Sequence, residues 1–330
     1  MSVRSLLVIA PLILLAGACA RQTAGDFVHR GDQKLAAGRY GAAAIEYRNA
    51  IKQDPARAEA HRKLGDTYSR QGKPGAAYRS YANAIDLDAA DVHSRIAAGR
   101  LLLSAGRFND ALVRAEQALE RDHGNSEALV LAARAAIAAH DAPAAEGYLT
   151  RAIAAEPSSF DAHAMLAHVY ASRGDLDVAR VTLERFAAAQ PDAAAPRTAL
   201  GIVLEAAGRP AEARARYEQA LALDAREPVA SNNLARLYAT DEGRIGQAFE
   251  LARTAAAQLP DDADVHDTLG WVAFRTGRLS LAASELKRAV ALNAGEPIYQ
   301  SHLRDVRAEI AAQAEGAAAA RQRVTGRAGL

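Results

Sequence analysis

The sequence holds a single cysteine, Cys19, in 330 residues. No intramolecular disulfide and no cysteine-based metal site can form. Aromatic residues make up only 5% of the chain, so its core must be packed largely from small side chains. Charge of one sign is missing as well. The 40 basic and 39 acidic residues leave a net charge of +1, which provides no global field to attract nucleic acid. Lysine is confined to Lys34, Lys52, Lys63, Lys73 and Lys287, so nearly all the positive charge is arginine. A compositional bias accounts for that excess more simply than a dedicated anion site does. The apolar run Leu6–Leu15 is too short to span a membrane as a helix.

Catalytic patterns are absent too. The stretch Gly65–Pro74 has two glycines and a lysine, but six residues separate the glycines. Proline also stands where a phosphate-binding loop needs a hydroxyl for magnesium. The histidines do not fall at metal-ligand spacing. His61, His163 and His266 share one place early in successive segments, where a half-buried packing role is expected. No Ser/His/Asp or Cys/His set is suggested. The expectation is a chain that binds rather than catalyses, without metal or cofactor.

What the sequence does contain is a period. A small residue recurs at Gly31, Gly65, Gly99, Ala133, Ala167, Gly201, Ala235 and Gly270; the step is 34 throughout, except for 35 at the last. A second ladder runs Ala43, Ala77, Ala111, Ala145, Ala179, Ala213, Ala248 and Ala282. A third, of turn glycines, runs Gly38, Gly72, Gly106, Gly174, Gly208, Gly243 and Gly277, with His140 in the one gap. Within Ala58–Asp91, Leu64 and Tyr68 share one helical face, while Ala77, Tyr81 and Ala84 share another. Gly72 and Pro74 between them supply a turn. Pro55, Pro157, Pro191 and Pro260 fall where a helix must stop.

This pattern resembles the tetratricopeptide repeat, a 34-residue helix–turn–helix unit. The resemblance implies an all-α, right-handed solenoid of about eight repeats, starting near residues 24, 58, 92, 126, 160, 194, 228 and 263. Repeats would occupy 26–296. Residues 297–315 would form a capping helix whose apolar face is Ile298, Leu303, Val306 and Ile310. The alanine- and arginine-rich tail 316–330 is expected to be disordered.

The N-terminus reads as a secretory leader over 1–19, with Arg4 ahead of the apolar run. Ala16-Gly17-Ala18-Cys19 resembles a bacterial lipobox, which implies a lipid on Cys19, a tether over 20–25 and a place on the periplasmic side of the outer membrane. Ala18-Cys19-Ala20 also fits ordinary cleavage after Ala20, which would leave the protein free in the periplasm or secreted. Both readings stand at this point.

In the tetratricopeptide family the first helices line a concave groove, with repeat positions two, five, nine and twelve facing into it. Carried onto this sequence, the late groove holds Asn232, Asn233, Arg236, Asp264, Asp267, Trp271, Phe274 and Arg275. An aromatic pair beside amides and arginine has the composition of an interaction hot spot, although Trp271 and Phe274 can equally pack beneath the capping helix. A secondary, charged groove holds Arg62, Asp66, Arg70, Arg100 and Arg134, open to an acidic chain such as an anionic polysaccharide, or closed by internal pairs such as Arg62–Asp66. The layout is similar to bacterial tetratricopeptide lipoproteins that assist pilus biogenesis or exosortase-linked exopolysaccharide export. The implied function is a protein-interaction scaffold with an envelope protein or peptide segment in its groove. Direct binding of polysaccharide or peptidoglycan, or regulation of an envelope enzyme, are the alternatives.

Overall fold

The computed structural model describes residues 22–327. The leader, Cys19 and the Ala20 cleavage site lie outside the described residues. Packing divides the chain after Ala139 into two compact units. The first contains α1 (Ala24–Ala36), α2 (Tyr40–Gln53), α3 (Ala58–Arg70), α4 (Pro74–Leu87), α5 (Val92–Ser104), α6 (Phe108–Leu119) and α7 (Ser126–Ala138). The second contains α8 (Ala142–Ala155), α9 (Phe160–Ser172), α10 (Leu176–Ala189), α11 (Ala195–Ala206), α12 (Pro210–Leu223), α13 (Pro228–Tyr238), α14 (Ile245–Gln258), α15 (Ala263–Arg275), α16 (Leu279–Leu292) and α17 (Pro297–Arg327). Each unit is a stack of helix–turn–helix repeats. The fold class is an all-α helical-repeat solenoid with a C-terminal helix.

Local chemistry starts and stops these helices. Thr23 and Asp26 form a reciprocal capping box at the head of α1. The side chains of Asp91, Asn125, Asp141, Ser159 and Asp262 cap later helices. Proline opens α4, α12 and α13, at a place where its missing N–H has no partner to lose. Six repeats turn on a glycine with φ between 67° and 86°. His140 takes that conformation with φ 59°, a strain that glycine would not carry. The seventh repeat departs from the ladder. Its extra residue makes a short 3-10 turn, Glu242–Arg244, capped by Asp241. Gly243 therefore sits inside that turn and is not among the positive-φ glycines.

The small-residue ladder is a set of seats for the second helices. A Cβ added at Gly31, Gly65 or Gly201 would lie 2.4, 2.6 or 2.4 Å from a ring carbon of Tyr47, Tyr81 or Tyr217. Those three rings are almost wholly buried. Where the second helix offers only Ala115, the seat at Gly99 is filled from the next repeat, and an added Cβ would meet Leu131 Cδ2 at 2.6 Å. Complementary volumes across the pair keep the interior close-packed.

The C-terminal helix departs from expectation in two ways. Its buried face is Tyr299, Leu303 and Val306, with Ile298 and Ile310 exposed. These three stand 34 residues after Val265, Leu269 and Val272, so α17 is laid down as the first helix of a ninth repeat. The seat that is Gly270 in α15 has become Arg304, and a second helix cannot pack on an arginine as Leu286 packs on Gly270. The stack ends there. The helix itself continues to Arg327 rather than stopping near Glu315. Alanine and arginine are strong helix formers, and propensity can extend a helix beyond its packed turns.

Candidate functional site

In the first unit the charged residues of the expected groove are mostly engaged. Asp32 accepts the Tyr47 hydroxyl at 2.7 Å and Lys63 Nζ at 2.7 and 2.8 Å. One repeat later, Asp66 accepts the Tyr81 hydroxyl at 2.8 Å and His93 Nε2 at 2.9 Å. Burial pushes the Asp66 carboxyl up, but the bonds from His93 and Tyr81 outweigh it and hold the acid below its ordinary range. The same bond raises the His93 imidazole. Arg62, half-buried, adds charge near Asp66 but is not its bonding partner. Arg100 pairs with Glu127 at 3.0 Å, both exposed. Arg70 and Arg134 are exposed on α3 and α7. Each buried tyrosine thus hands its hydroxyl to a first-helix carboxylate, and a cation from the next first helix completes the carboxylate's partners.

The second unit repeats this motif once more and then changes. Glu205 on α11 accepts the Tyr217 hydroxyl at 2.7 Å and Arg236 Nη2 at 2.9 and 3.1 Å, with Asn233 beside the same hydroxyl. Burial pushes the Tyr217 phenol up, and the bond to Glu205 adds to the shift. Asn232, next in the chain to Asn233, is only 9% exposed, and its Oδ1 has no hydrogen-bond partner.

The remaining members of the late cluster belong with α17. Asp264 accepts the Tyr299 hydroxyl. Asp267 takes His302 Nδ1 at 2.9 and 3.0 Å. The Trp271 ring stacks on His302, 4.2 Å between centroids at 20°, and tilts against Phe274 at 5.4 Å. Trp271 and Phe274 are both half-buried and pack against the core, while Arg275 is exposed. The eight residues therefore do not form one cluster: Asn233 and Arg236 gather at Glu205 and Tyr217, Asp264, Asp267 and Trp271 meet α17 with Phe274 against Trp271, and Asn232 and Arg275 join neither group.

The structure also gives the histidine register a role that the sequence reading missed. His61, His163 and His266 each place Nε2 on the carbonyl of the proline six residues earlier: Pro55 at 3.1 Å, Pro157 at 3.2 Å and Pro260 at 2.9 Å. Arg197 does the same to Pro191 at 2.6 Å. A helix-borne donor thus closes four of the inter-repeat loops, and the signal for it is a proline followed six residues later by histidine or arginine. His266 goes further. Its Nδ1 meets Glu285 at 2.6 Å, so both ring nitrogens face acceptors.

Sequence profiles of the tetratricopeptide repeat match residues 102–147, 136–201 and 239–305, and further profiles of the same repeat match 31–72 and 198–263. Among solved structures, the chain is similar to a tetratricopeptide repeat protein from Parabacteroides merdae. The identity there is 16%, over 86% of this chain and 98% of that one, with a TM-score of 0.56. It is also similar to yeast Tom70, with 15% identity over 92% of this chain and 68% of that one and a TM-score of 0.68. At these identities the likeness is one of fold. No curated protein matches the chain.

Proposed function

The chain belongs to the tetratricopeptide repeat family, whose repeats are interaction modules, and from that premise we propose a non-catalytic scaffold that holds an envelope protein, or a peptide segment of one, on the first-helix face of its second unit. The observation that carries this reading is Trp271. Stacked on His302, tilted against Phe274 and still half-exposed, it is a rigid aromatic anchor held in place before a partner arrives. In this reading Cys19 carries the lipid that holds the scaffold at the periplasmic side of the outer membrane, and the machine it serves is one for pilus assembly or exopolysaccharide export. The lipobox-like end of the leader and the repeat layout support that part.

A pull-down from detergent-solubilised envelopes tests it, comparing the wild type with Trp271→Ala/Asn233→Ala and checking the fold by circular dichroism. Capture of one envelope protein by the wild type and its loss in the folded variant is the expected result. The same proteins in both would overturn the placement. Metabolic labelling with an alkyne fatty acid should tag the wild type and not Cys19→Ser.

A further inference from the structure

The place four residues before the small seat looks toward the second helix of its own repeat. His163 lies against Phe186 there, 4.4 Å between ring centroids, and His266 meets Glu285, nineteen residues on. The same step from Arg95, four places before Gly99, lands on Arg114. An arginine thus stands in the third repeat where the eighth offers an acid. A Cβ added at Gly99 would lie 3.3 Å from Arg114 Cβ, so the root of that side chain rests on α5 one turn from Arg95. Arg121, on the turn after α6, brings a third guanidinium.

Arg95 is only 7% exposed, and it is poorly satisfied. Its Nη1 donates to the Asp91 carbonyl at 3.0 Å, while its Nε is buried without a partner. Arg197, at the same place in the sixth repeat, shows the contrast. It donates Nη1 and Nη2 to the carbonyls of Ala193 and Pro191, both at 2.6 Å. The acids of the loop beside Arg95 are engaged elsewhere: Asp91 accepts Ser94 N and Oγ, and Asp88 accepts Ala90 N. Among the described residues no carboxylate bonds Arg95, Arg114 or Arg121, and Arg114 reaches only Gln117, at 3.0 Å. Burial, with the charges of Arg121 and Arg114, pushes the Arg95 guanidinium down against the pull of Asp91 and Asp88. A buried charge without a paired counter-ion is costly.

We propose that this end of the third repeat binds a phosphate group, which bonds the exposed Arg121 and the half-buried Arg114 and offsets the charge of Arg95 beneath them. The guanidinium fork matches phosphate oxygens in pairs. The buried Nε takes no part, because the anion acts on Arg95 through its charge. Such a group belongs either to a soluble phosphate ester or to a lipid headgroup. The site is reached from α6 and the turn after it rather than from the first-helix face, so it is independent of the partner proposed above.

Hydrogen exchange of the full chain, with inorganic phosphate replacing chloride at constant ionic strength, tests this. Amides of 88–95 and 118–122 should slow about tenfold once phosphate reaches about ten times its dissociation constant. Those of α11 and α12, around Arg197, should not change. Arg121→Ala has no side-chain bond to lose, so it should remove the protection and leave the melting temperature unaltered. Arg114→Glu supplies the acid that the eighth repeat carries, and should remove the protection while raising the melting temperature in chloride. Equal exchange in phosphate and chloride, or protection that survives either substitution, overturns the inference. Flotation with phosphatidylcholine vesicles, with and without phosphatidic acid, separates the two sources once protection is seen. Retention that needs both phosphatidic acid and Arg121 identifies a headgroup, and retention indifferent to them identifies a soluble phosphate. Capture of a partner through Trp271 is untouched by any of these results, so the scaffold reading stands or falls separately.

Discussion

The first-helix faces of the two units use one register for opposite ends. In the first unit, Asp32 and Asp66 each take a tyrosine hydroxyl and a cation, and Glu127 takes Arg100. The polar groups there hold neighbouring repeats to one another. In the second unit the corresponding register carries Ile202, Val229, Trp271 and Ile298, and the Asn232 oxygen is buried without a partner. A charge that has found its partner within the fold is structural. An exposed apolar side chain such as Ile202 or Val229 leaves surface that another molecule can cover.

What the units share is the seat beneath the tyrosine, and removing it should produce the largest effect. In Gly65→Val and Gly201→Val the new Cβ alone falls 2.6 and 2.4 Å from a buried ring carbon. Each variant should lose about 3 kcal/mol, measured by urea unfolding followed separately in each unit by hydrogen exchange. Gly99→Ala is the contrasting case. Its Cβ meets the end of the Leu131 side chain, which can turn away, and alanine regains about 1 kcal/mol of helix propensity. A near-neutral Gly99→Ala beside two damaging valines identifies the ring as the obstacle. Equal losses at all three would show that the helix backbone itself cannot take a side chain at this place.

The next effect tests the contrast itself. Asp32→Ala leaves the buried Tyr47 hydroxyl and the Lys63 ammonium without their acceptor and should cost about 2 kcal/mol. Asn232→Ala removes an acceptor that has no bond to lose, so stability should hold or rise slightly. Denaturation of the two variants side by side reads the sign directly. A loss at Asn232 as large as at Asp32 would mean that the second unit uses its groove polar groups for the fold as the first does.

Much of this was legible in the sequence, and the part that was not has a physical reason. The Gly31-to-Gly270 ladder reports the repeat because a seat for a ring or a leucine admits nothing larger, whatever the rest of the helix carries. Spacing leaves the face of α17 ambiguous: Ile298, Leu303, Val306 and Ile310 also fall at helical spacing, and amphipathic spacing alone does not choose between neighbouring residues. The 34-residue step does choose, and it selects Tyr299. The lack of an apolar face in the tail suggests disorder, yet alanine needs no such face to stay helical. The partners of Asp66 and Asp267, namely His93 and His302, stand 27 and 35 residues away, on the next first helix. A one-residue change in how helices stack would exchange such partners, so they emerge only from packing. The proline–histidine tie is the exception: it was visible as spacing, but its meaning depended on knowing that the ring reaches back to a carbonyl.

The smallest effect is one of pH, and it is read at the link between α3 and α5 in the first unit. The bond to Asp66 raises His93 above its ordinary 6.5, against the opposing pull of burial and Arg62 and with help from Asp91. Asp66 is held below its ordinary 3.8. A raised imidazole stabilises fully where the unfolded histidine is also protonated, below about 6.5, and that contribution fades as pH climbs through the folded value. The lowered carboxyl contributes above about 3.8 and is lost only as pH falls through its own folded value. The link between α3 and α5 is therefore strongest from about pH 4 to 6.5 and slackens toward pH 8. The matching link in the second unit joins Glu205 to Arg236, and a guanidinium stays charged across that range. Hydrogen exchange at pH 5.5 and pH 8, corrected for intrinsic rates, should show α3 and α5 losing protection relative to α11 and α13. In His93→Gln the difference should vanish. If it persists in that variant, the pH sensitivity arises elsewhere in the first unit, and the His93–Asp66 bond is an exposed contact of no energetic weight. Because His93 is itself more than half exposed, solvent screens the pair, and the expected change is a graded loosening of one inter-repeat contact rather than an unfolding step.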